Sequence, residues 1–227
     1  MRAPGAKEIK FFVNDKAGGV SGLLLEPSGA RTFLLLAHGA GAGMRHPFME
    51  DLAAKLADQD VATLRYQFPY MNKGTKRPDP QSVLTATVRA AVAAAEKYAG
   101  ELPLFAGGKS MGGRMTSLAA AQEPFDGVRG LIFFGFPLHA AGRPGAERGE
   151  HLTEIKIPML FLQGSRDALA ELELLKPLCA KIGKRAELFV VEGGDHSLHV
   201  LKSARQLDGD VLDDVVKKAA QWMTKYE

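Results

Sequence analysis

The fold this sequence predicts is α/β: a mostly parallel, twisted sheet with an N-terminal antiparallel hairpin and helices on both faces. Three observations predict it. Short apolar runs alternate with segments of helical periodicity along nearly the whole chain, the pattern of strand–helix–strand units around a parallel sheet. Several runs, such as Thr32–Ala37 and Val128–Phe134, are apolar throughout, as strands covered on both faces are. Ahead of them, two β-rich stretches flank Gly18-Gly19, a hairpin signal.

In chain order, Ile9–Val13 and Val20–Glu26 form the hairpin, and Thr32–Ala37 is the first buried strand. Phe48–Asp58 is a helix, with apolar residues at 48, 52, 53, 56 and 57, one stripe of a 3.6-residue period. Val61–Tyr66 is a strand. Gln81–Tyr98, rich in alanine, is a helix closed by Gly100, since glycine is the commonest helix stop. Leu102–Gly107 is a strand and Met111–Ala121 a helix; Val128–Phe134 and Ile157–Gln163 are strands. Ala168–Ile182 is a helix, Ala186–Val191 a strand, and Leu207–Met223 the closing helix. Phe68–Pro80, Phe136–Ile155 and Gly193–Gln206 break the rhythm. Each follows a strand and so begins at the carboxyl edge of the sheet, where open α/β sheets bind ligands.

The chain has 227 residues, 46 % of them apolar and 24 % charged, which predicts one soluble domain over residues 1–227. A net charge of +3, spread along the chain, argues against nucleic acid and anionic membrane as partners. Cys179 is the one cysteine. No internal disulfide is possible, and its place among Leu174, Leu175, Leu178 and Ile182 predicts packing rather than catalysis. Residues 1–14 show neither the apolar core nor the cleavage pattern of a secretory signal, and no apolar run approaches the roughly 18 residues of a membrane span. Together these predict a cytoplasmic protein. Oligomeric state has no signature here.

Gly108-Lys109-Ser110-Met111-Gly112 lies between a predicted strand and a predicted helix. G-x-S-x-G in that setting is a nucleophile elbow, a turn so sharp that the serine hydroxyl stands clear of a strained backbone. The glycines are demanded by the closeness of neighbouring main chain. A serine hydroxyl becomes a useful nucleophile when a histidine takes its proton and a carboxylate orients that histidine. Asp167 follows the strand ending at Gln163 through Gly164-Ser165-Arg166, and His196 follows the strand from Ala186 in Gly193-Gly194-Asp195-His196-Ser197. The order Ser, Asp, His, each just past a strand end, selects Ser110, Asp167 and His196 as the catalytic set. Asp167 also fits a plain turn former. His199, beside Val200 and Leu201, reads as a packing residue, and Asp195 as a loop residue.

Developing negative charge needs donors. His38-Gly39-Ala40-Gly41-Ala42-Gly43 follows the first buried strand, with residues small enough for a main-chain N–H to approach a reacting carbonyl. The expected donors are the N–H groups of Ala40 and Met111. Phosphate-binding readings of these glycines fail. A dinucleotide fingerprint would need glycine where Met44 stands, and a P-loop would need one where Pro103 stands. No His/Cys/Asp/Glu grouping has metal-ligand spacing, so neither cofactor nor metal is expected.

With these residues assembled, the chain resembles an α/β-hydrolase over nearly its full length. Residues 107–114, Gly-Gly-Lys-Ser-Met-Gly-Gly-Arg, are similar to those of a narrower group related to dienelactone hydrolase, which includes testis-expressed protein 30 and the NSL-complex regulatory subunit 3. Phe68-Pro69-Tyr70-Met71, Arg148-Gly149-Glu150-His151-Leu152 and Gln163-Gly164-Ser165-Arg166-Asp167 support the likeness. The resemblance implies the same three catalytic residues. Dienelactone hydrolase itself uses a cysteine where this chain has Ser110.

The expected activity is cleavage of carboxylic esters through an acyl-enzyme. Acyl transfer or perhydrolysis would use the same residues, and a non-catalytic interaction module the same scaffold. Phe136–Ile155 is short, polar and glycine-rich for a lid, which predicts an open cleft for short-acyl or accessible oligomeric esters. Gly39, Gly41, Phe68, Tyr70, Met71, Phe136 and Leu138 are the candidate substrate-binding residues. Lys109 is expected either to meet a carboxylate or to make a structural ion pair, and Arg148 and His151 either to anchor their loop or to meet substrate.

Overall fold

The computed structural model describes residues 5–201 and 210–227. Its centre is an eight-stranded sheet in the order β1-β2-β4-β3-β5-β6-β7-β8. β1 (Lys7–Asn14) and β2 (Gly18–Leu25) form the antiparallel hairpin, and β2 runs antiparallel to β4 (Val61–Tyr66). β3 (Thr32–Ala37), β4, β5 (Leu104–Lys109), β6 (Val128–Phe134), β7 (Met159–Gly164) and β8 (Ala186–Val191) are mutually parallel.

Side chains alternate across a strand, so each apolar strand feeds two cores. Phe33, Leu35 and Ala37 of β3 face one side, where they join Val88 and Ala91 of α3 (Gln81–Ala99), Met115 and Ala119 of α4 (Met111–Gln122), and Leu175 of α5 (Leu172–Ile182). Leu34 and Leu36 face the other, with Met49 and Leu52 of α1 (Pro47–Ala57) and Val215, Val216 and Trp222 of α6 (Val211–Met223). A fully apolar strand is thus the sequence of a layer covered twice. A one-turn helix, α2 (Pro69–Asn72), follows β4, and a 3₁₀ helix (Glu147–Glu154) lies between β6 and β7. Among the described residues no helix is long and apolar enough to cross a membrane.

Two helices begin later than their periodicity suggests. Residues 168–170 belong to a turn, because the Asp167 Oδ1 accepts the Leu169 N–H at 2.8 Å and holds the chain out of helix until Leu172. α6 starts at Val211 because Asp210 caps it, its Oδ1 taking the Leu212 N–H at 3.0 Å; residues 207–209 of the expected helix lie outside the described residues. The same is true of 202–206 in the segment after β8.

β3 has β4 on one side and β5 on the other, so the crossover from β3 to β4 and the next one, from β4 back past β3 to β5, run in opposite directions across the sheet. Such a reversal opens a crevice at the carboxyl ends of the two strands. The glycine-rich loop leaves β3 there, and Ser110 leaves β5 beside it.

Candidate active site

Ser110 sits between β5 and α4 with φ 51° and ψ −119°, a left-handed conformation that a side-chain-bearing residue adopts only under constraint. The constraint is main-chain crowding. A Cβ at Gly107 would stand 1.8 Å from the Ile132 carbonyl oxygen, and one at Gly112 2.4 Å from that of Ala37. Only glycine at both positions lets the elbow nest between β3 and β6.

The structure brings the three sequence-selected side chains together. His196 Nε2 lies 2.8 Å from Ser110 Oγ, and His196 Nδ1 lies 2.7 Å from Asp167 Oδ2. The Asp167 side chain has no exposed area, whereas the imidazole is one-quarter exposed. A carboxylate taken out of water needs donors. Asp167 has the Leu169 N–H on Oδ1 and both the His196 ring and the Gln163 amide on Oδ2. With Nδ1–H donated to Asp167, the Nε2 lone pair faces the hydroxyl, the tautomer a general base requires. Asp167 is therefore both the turn former and the partner of the histidine.

Gln163 was not singled out from the sequence. It is wholly buried, gives its amide N–H to Asp167, and takes the Phe136 N–H on Oε1 at 2.8 Å. It ties the acid loop to the segment after β6. The signal was present, since a glutamine closing an otherwise apolar strand has to find partners.

The glycine-rich loop lies against the elbow: a Cβ at Gly39 would be 3.7 Å from Ser110 Cβ. His38 fixes this loop. It is fully buried, donates Nδ1–H to the Gly39 carbonyl at 2.7 Å and accepts the Phe68 N–H on Nε2 at 3.1 Å; burial pulls its pKa from 6.5 down to about 4, so it stays neutral. Tyr70 Oη accepts the Gly41 N–H at 3.1 Å, and Gln67 Oε1 accepts that of Met44 at 2.8 Å. Arg65, nearly buried, donates to the Met44 carbonyl at 3.2 Å. Ala40 is exposed, and its N–H has no acceptor among the described residues. Met111 opens α4, so its N–H lies outside the helix's own bonding.

The candidate wall residues are placed differently from one another. Phe68, Phe136 and Leu138 have no exposed area and Tyr70 only 1 %. They pack into the core, Phe68 edge-on to His38 and Phe136 edge-on to Phe133. These four lie beneath the rim and support its loops, because an apolar ring beside a strand end finds neighbouring apolar side chains before it finds the cleft. Met71 is partly exposed, Gly41 is partly exposed, and Gly39 is buried.

Of the two contacts expected of Lys109, the structural ion pair is not formed among the described residues. Its ammonium donates to the main-chain carbonyl of His196 and lies over the Phe48 ring, 5.8 Å from its centroid. Burial lowers its pKa to about 8, against the opposing pull of Asp167 and Asp195. The residue before the nucleophile thus holds the loop that carries the histidine.

Asp195 is a loop residue, its Oδ1 accepting the N–H groups of Ser197 at 2.8 Å and His199 at 3.0 Å. The expectation of a packed His199 fails: its ring is exposed, because this turn directs Leu198 and Val200 inward instead. Cys179 is buried on α5 and its thiol is pushed up to about 11. Arg148 donates to the His139 carbonyl at 3.0 Å, and His151 Nε2 meets Ser117 Oγ at 2.7 Å; both anchor the 3₁₀ segment.

A family model described as an alpha/beta hydrolase domain matches residues 30–224. Solved structures share the fold across nearly their whole lengths. The dienelactone hydrolase of Anabaena variabilis is 20 % identical, with 98 % of this chain and 99 % of that one covered at a TM-score of 0.76. An esterase domain from Rhodothermus marinus is 17 % identical, with 98 % and 99 % covered at 0.72. Est1E from Butyrivibrio proteoclasticus, in its complex with ferulic acid, is 18 % identical, with 92 % and 95 % covered at 0.70. The chain belongs to the α/β-hydrolase family.

Proposed function

We propose that this protein is a serine hydrolase that cleaves carboxylic esters through an acyl-enzyme. The observation that carries the reading is the unbroken line from Ser110 Oγ through His196 to Asp167, at 2.8 and 2.7 Å, on a serine whose backbone is held at φ 51°. Ser110 Oγ attacks the ester carbonyl carbon while its proton passes to His196 Nε2. The imidazolium so formed is stabilised by the buried Asp167 carboxylate. The N–H groups of Ala40 and Met111 receive the charge that develops on the carbonyl oxygen; one such donor is worth about 2.7–4 kcal/mol in the transition state. Collapse expels the alkoxide, which takes the proton from His196. Water then repeats the sequence on the acyl-enzyme and frees Ser110.

The segment between β6 and β7 folds back as a short 3₁₀ helix on α4 rather than as a long apolar cover. That favours short-acyl or accessible oligomeric esters over lipid in micelles. Met71 and the Gly39–Gly41 loop border the acyl group, with Phe68, Tyr70, Phe136 and Leu138 as the layer below. The printed names of the solved relatives, a dienelactone hydrolase and esterases, one with ferulic acid bound, agree with an ester as substrate.

The test is a series of 4-nitrophenyl esters from acetate to palmitate. Turnover should be greatest at the short end and vanish in Ser110→Ala. Equal turnover by that variant, or none by the folded wild-type protein on any ester, contradicts the reading.

A further inference from the structure

We propose that His139 is a positioning residue for the catalytic acid: protonated at both ring nitrogens and paired with Glu171, it holds the turn that carries Asp167, and loss of the shared proton slackens that turn. The effect on turnover rests on the hydrolase reading of Ser110; the pairing itself does not. Neither His139 nor Glu171 has a part in the mechanism above.

His139 lies in the segment that leads from β6 to the 3₁₀ helix, and it is buried. Its main chain and its side chain grip the same turn. The His139 N–H donates to the Leu169 carbonyl at 3.0 Å, and the N–H of that same Leu169 is the one that Asp167 Oδ1 accepts at 2.8 Å. Two residues further on, Glu171 stands at the start of α5 as its N-cap, and its carboxylate forms an ion pair with His139 Nε2. The other end of the segment reaches the same acid through the Phe136 N–H and the Gln163 amide. On the opposite side, Arg148 of the 3₁₀ helix fixes His139 by donating to its carbonyl at 3.0 Å.

The proton count follows from the partners. His139 Nδ1 lies 2.9 Å from the Ala140 carbonyl oxygen, which also takes the Arg143 N–H at 3.0 Å. A carbonyl oxygen only accepts, so Nδ1 carries a hydrogen. In a neutral ring Nε2 would then present a lone pair. It faces Glu171 Oε2, and both atoms are enclosed, with no hydrogen-bond partner elsewhere among the described residues. Two lone pairs in that contact would repel, so a proton lies between them and the pair is an imidazolium with a carboxylate. His38 shows the other arrangement: its Nε2 faces a donor, the Phe68 N–H, and its ring is neutral. Two charges bear on the His139 ring from the elements around it. Glu171 of α5 favours the imidazolium, and Arg148 of the 3₁₀ helix opposes it. When the proton leaves as the pH rises, an enclosed carboxylate oxygen is left against a lone pair, and a buried charge that loses its partner is strongly unfavourable. Glu171 is then pushed from the ring, the turn from Asp167 to Glu171 shifts, and a small displacement of a group that orients the catalytic base is costly in turnover.

Two arms test this. Nitrogen NMR of protein with isotope-labelled histidine rings should show, at neutral pH, both nitrogens of His139 protonated, the signals being assigned by their loss in His139→Gln. In Glu171→Ala the same ring should carry one proton. A singly protonated His139 in the folded wild-type protein overturns the proposal. The second arm is kcat against pH on a short 4-nitrophenyl ester, corrected for spontaneous hydrolysis. Wild-type kcat should fall on the alkaline side with KM within about twofold. Glu171→Ala should lower kcat about tenfold across the range and remove the fall. Glu171→Gln should recover part of kcat and also lack the fall, because its amide donates to Nε2 while the Nδ1–H stays on Ala140, a pairing with no proton to lose. A fall that persists in Glu171→Gln belongs to another group, such as Lys109 with its pKa of about 8, and overturns the positioning role, as does a change in KM alone. If no ester is cleaved at all, the hydrolase reading fails while the NMR arm still decides the pair.

Discussion

Ser110 and Ser117 both belong to the α4 region, and each meets an imidazole Nε2, Ser110 at 2.8 Å from His196 and Ser117 at 2.7 Å from His151. The chemistry of the two pairs is opposite. Ser117 lies inside the helix and donates its hydroxyl hydrogen to the Arg114 carbonyl at 2.9 Å, so its oxygen can only accept, and His151 is the donor. No carboxylate orients His151 among the described residues, and burial, with the Arg114 charge beside it, opposes protonation. Ser110 stands ahead of the helix, its Oγ bonded among the described residues only to an imidazole whose other nitrogen rests on a buried carboxylate. A serine and a histidine at bonding distance are therefore not enough. The backbone that leaves the hydroxyl free and the acid that sets the tautomer make the difference.

That contrast sets the scale of mutational effects. Ser110→Ala should lower kcat on a short 4-nitrophenyl ester by about 10⁴-fold or more, measured against wild-type protein of equal fold by circular dichroism. Lys109→Met removes the hydrogen bond that holds the histidine-bearing loop without touching the acyl space. The expected result is a fall in kcat of about tenfold with KM within about twofold, since small displacements of a reacting group are costly. Lys109→Arg should recover part of it. An increase in KM alone would mean that the ammonium binds substrate instead.

Stability should respond to acid through His38. Its pKa is about 4 in the folded chain against 6.5 when exposed. Between these values the unfolded chain holds a proton that the folded one does not. Stability present above pH 6.5 is therefore lost as the pH falls toward 4, by roughly 3 kcal/mol for this fully buried ring. His151 acts in the same direction. Melting temperature against pH should show this slope, flatter in His38→Gln. The smallest effect belongs to Ser117→Ala, whose ester turnover should stay within about twofold of wild type.

Much of the site could be read from the sequence because parallel α/β sheets place function at strand ends. Ser110, Asp167 and His196 each lie just past an apolar run, and glycines at 107, 108 and 112 mark the crowded turn. Where the reading fell short, the cause was an interaction across elements. Helical periodicity could not reveal that Asp167 would cap a turn and delay α5 to Leu172. Nor could position after a strand separate Met71, which is partly exposed, from Phe68 and Phe136 in the core. The bond from Lys109 to the His196 carbonyl joins residues far apart in the chain, and no local pattern encodes it. Gln163 could have been found, because a buried amide at the end of an apolar strand needs partners.

The most direct test is to label the folded protein with a fluorophosphonate and locate the adduct by peptide mass spectrometry. A single phosphonylated residue at Ser110, absent from Ser110→Ala and unchanged in Ser117→Ala, is the expected result. A folded protein that remains unlabelled at Ser110, or that carries the adduct on Ser117, would contradict the assignment of the nucleophile.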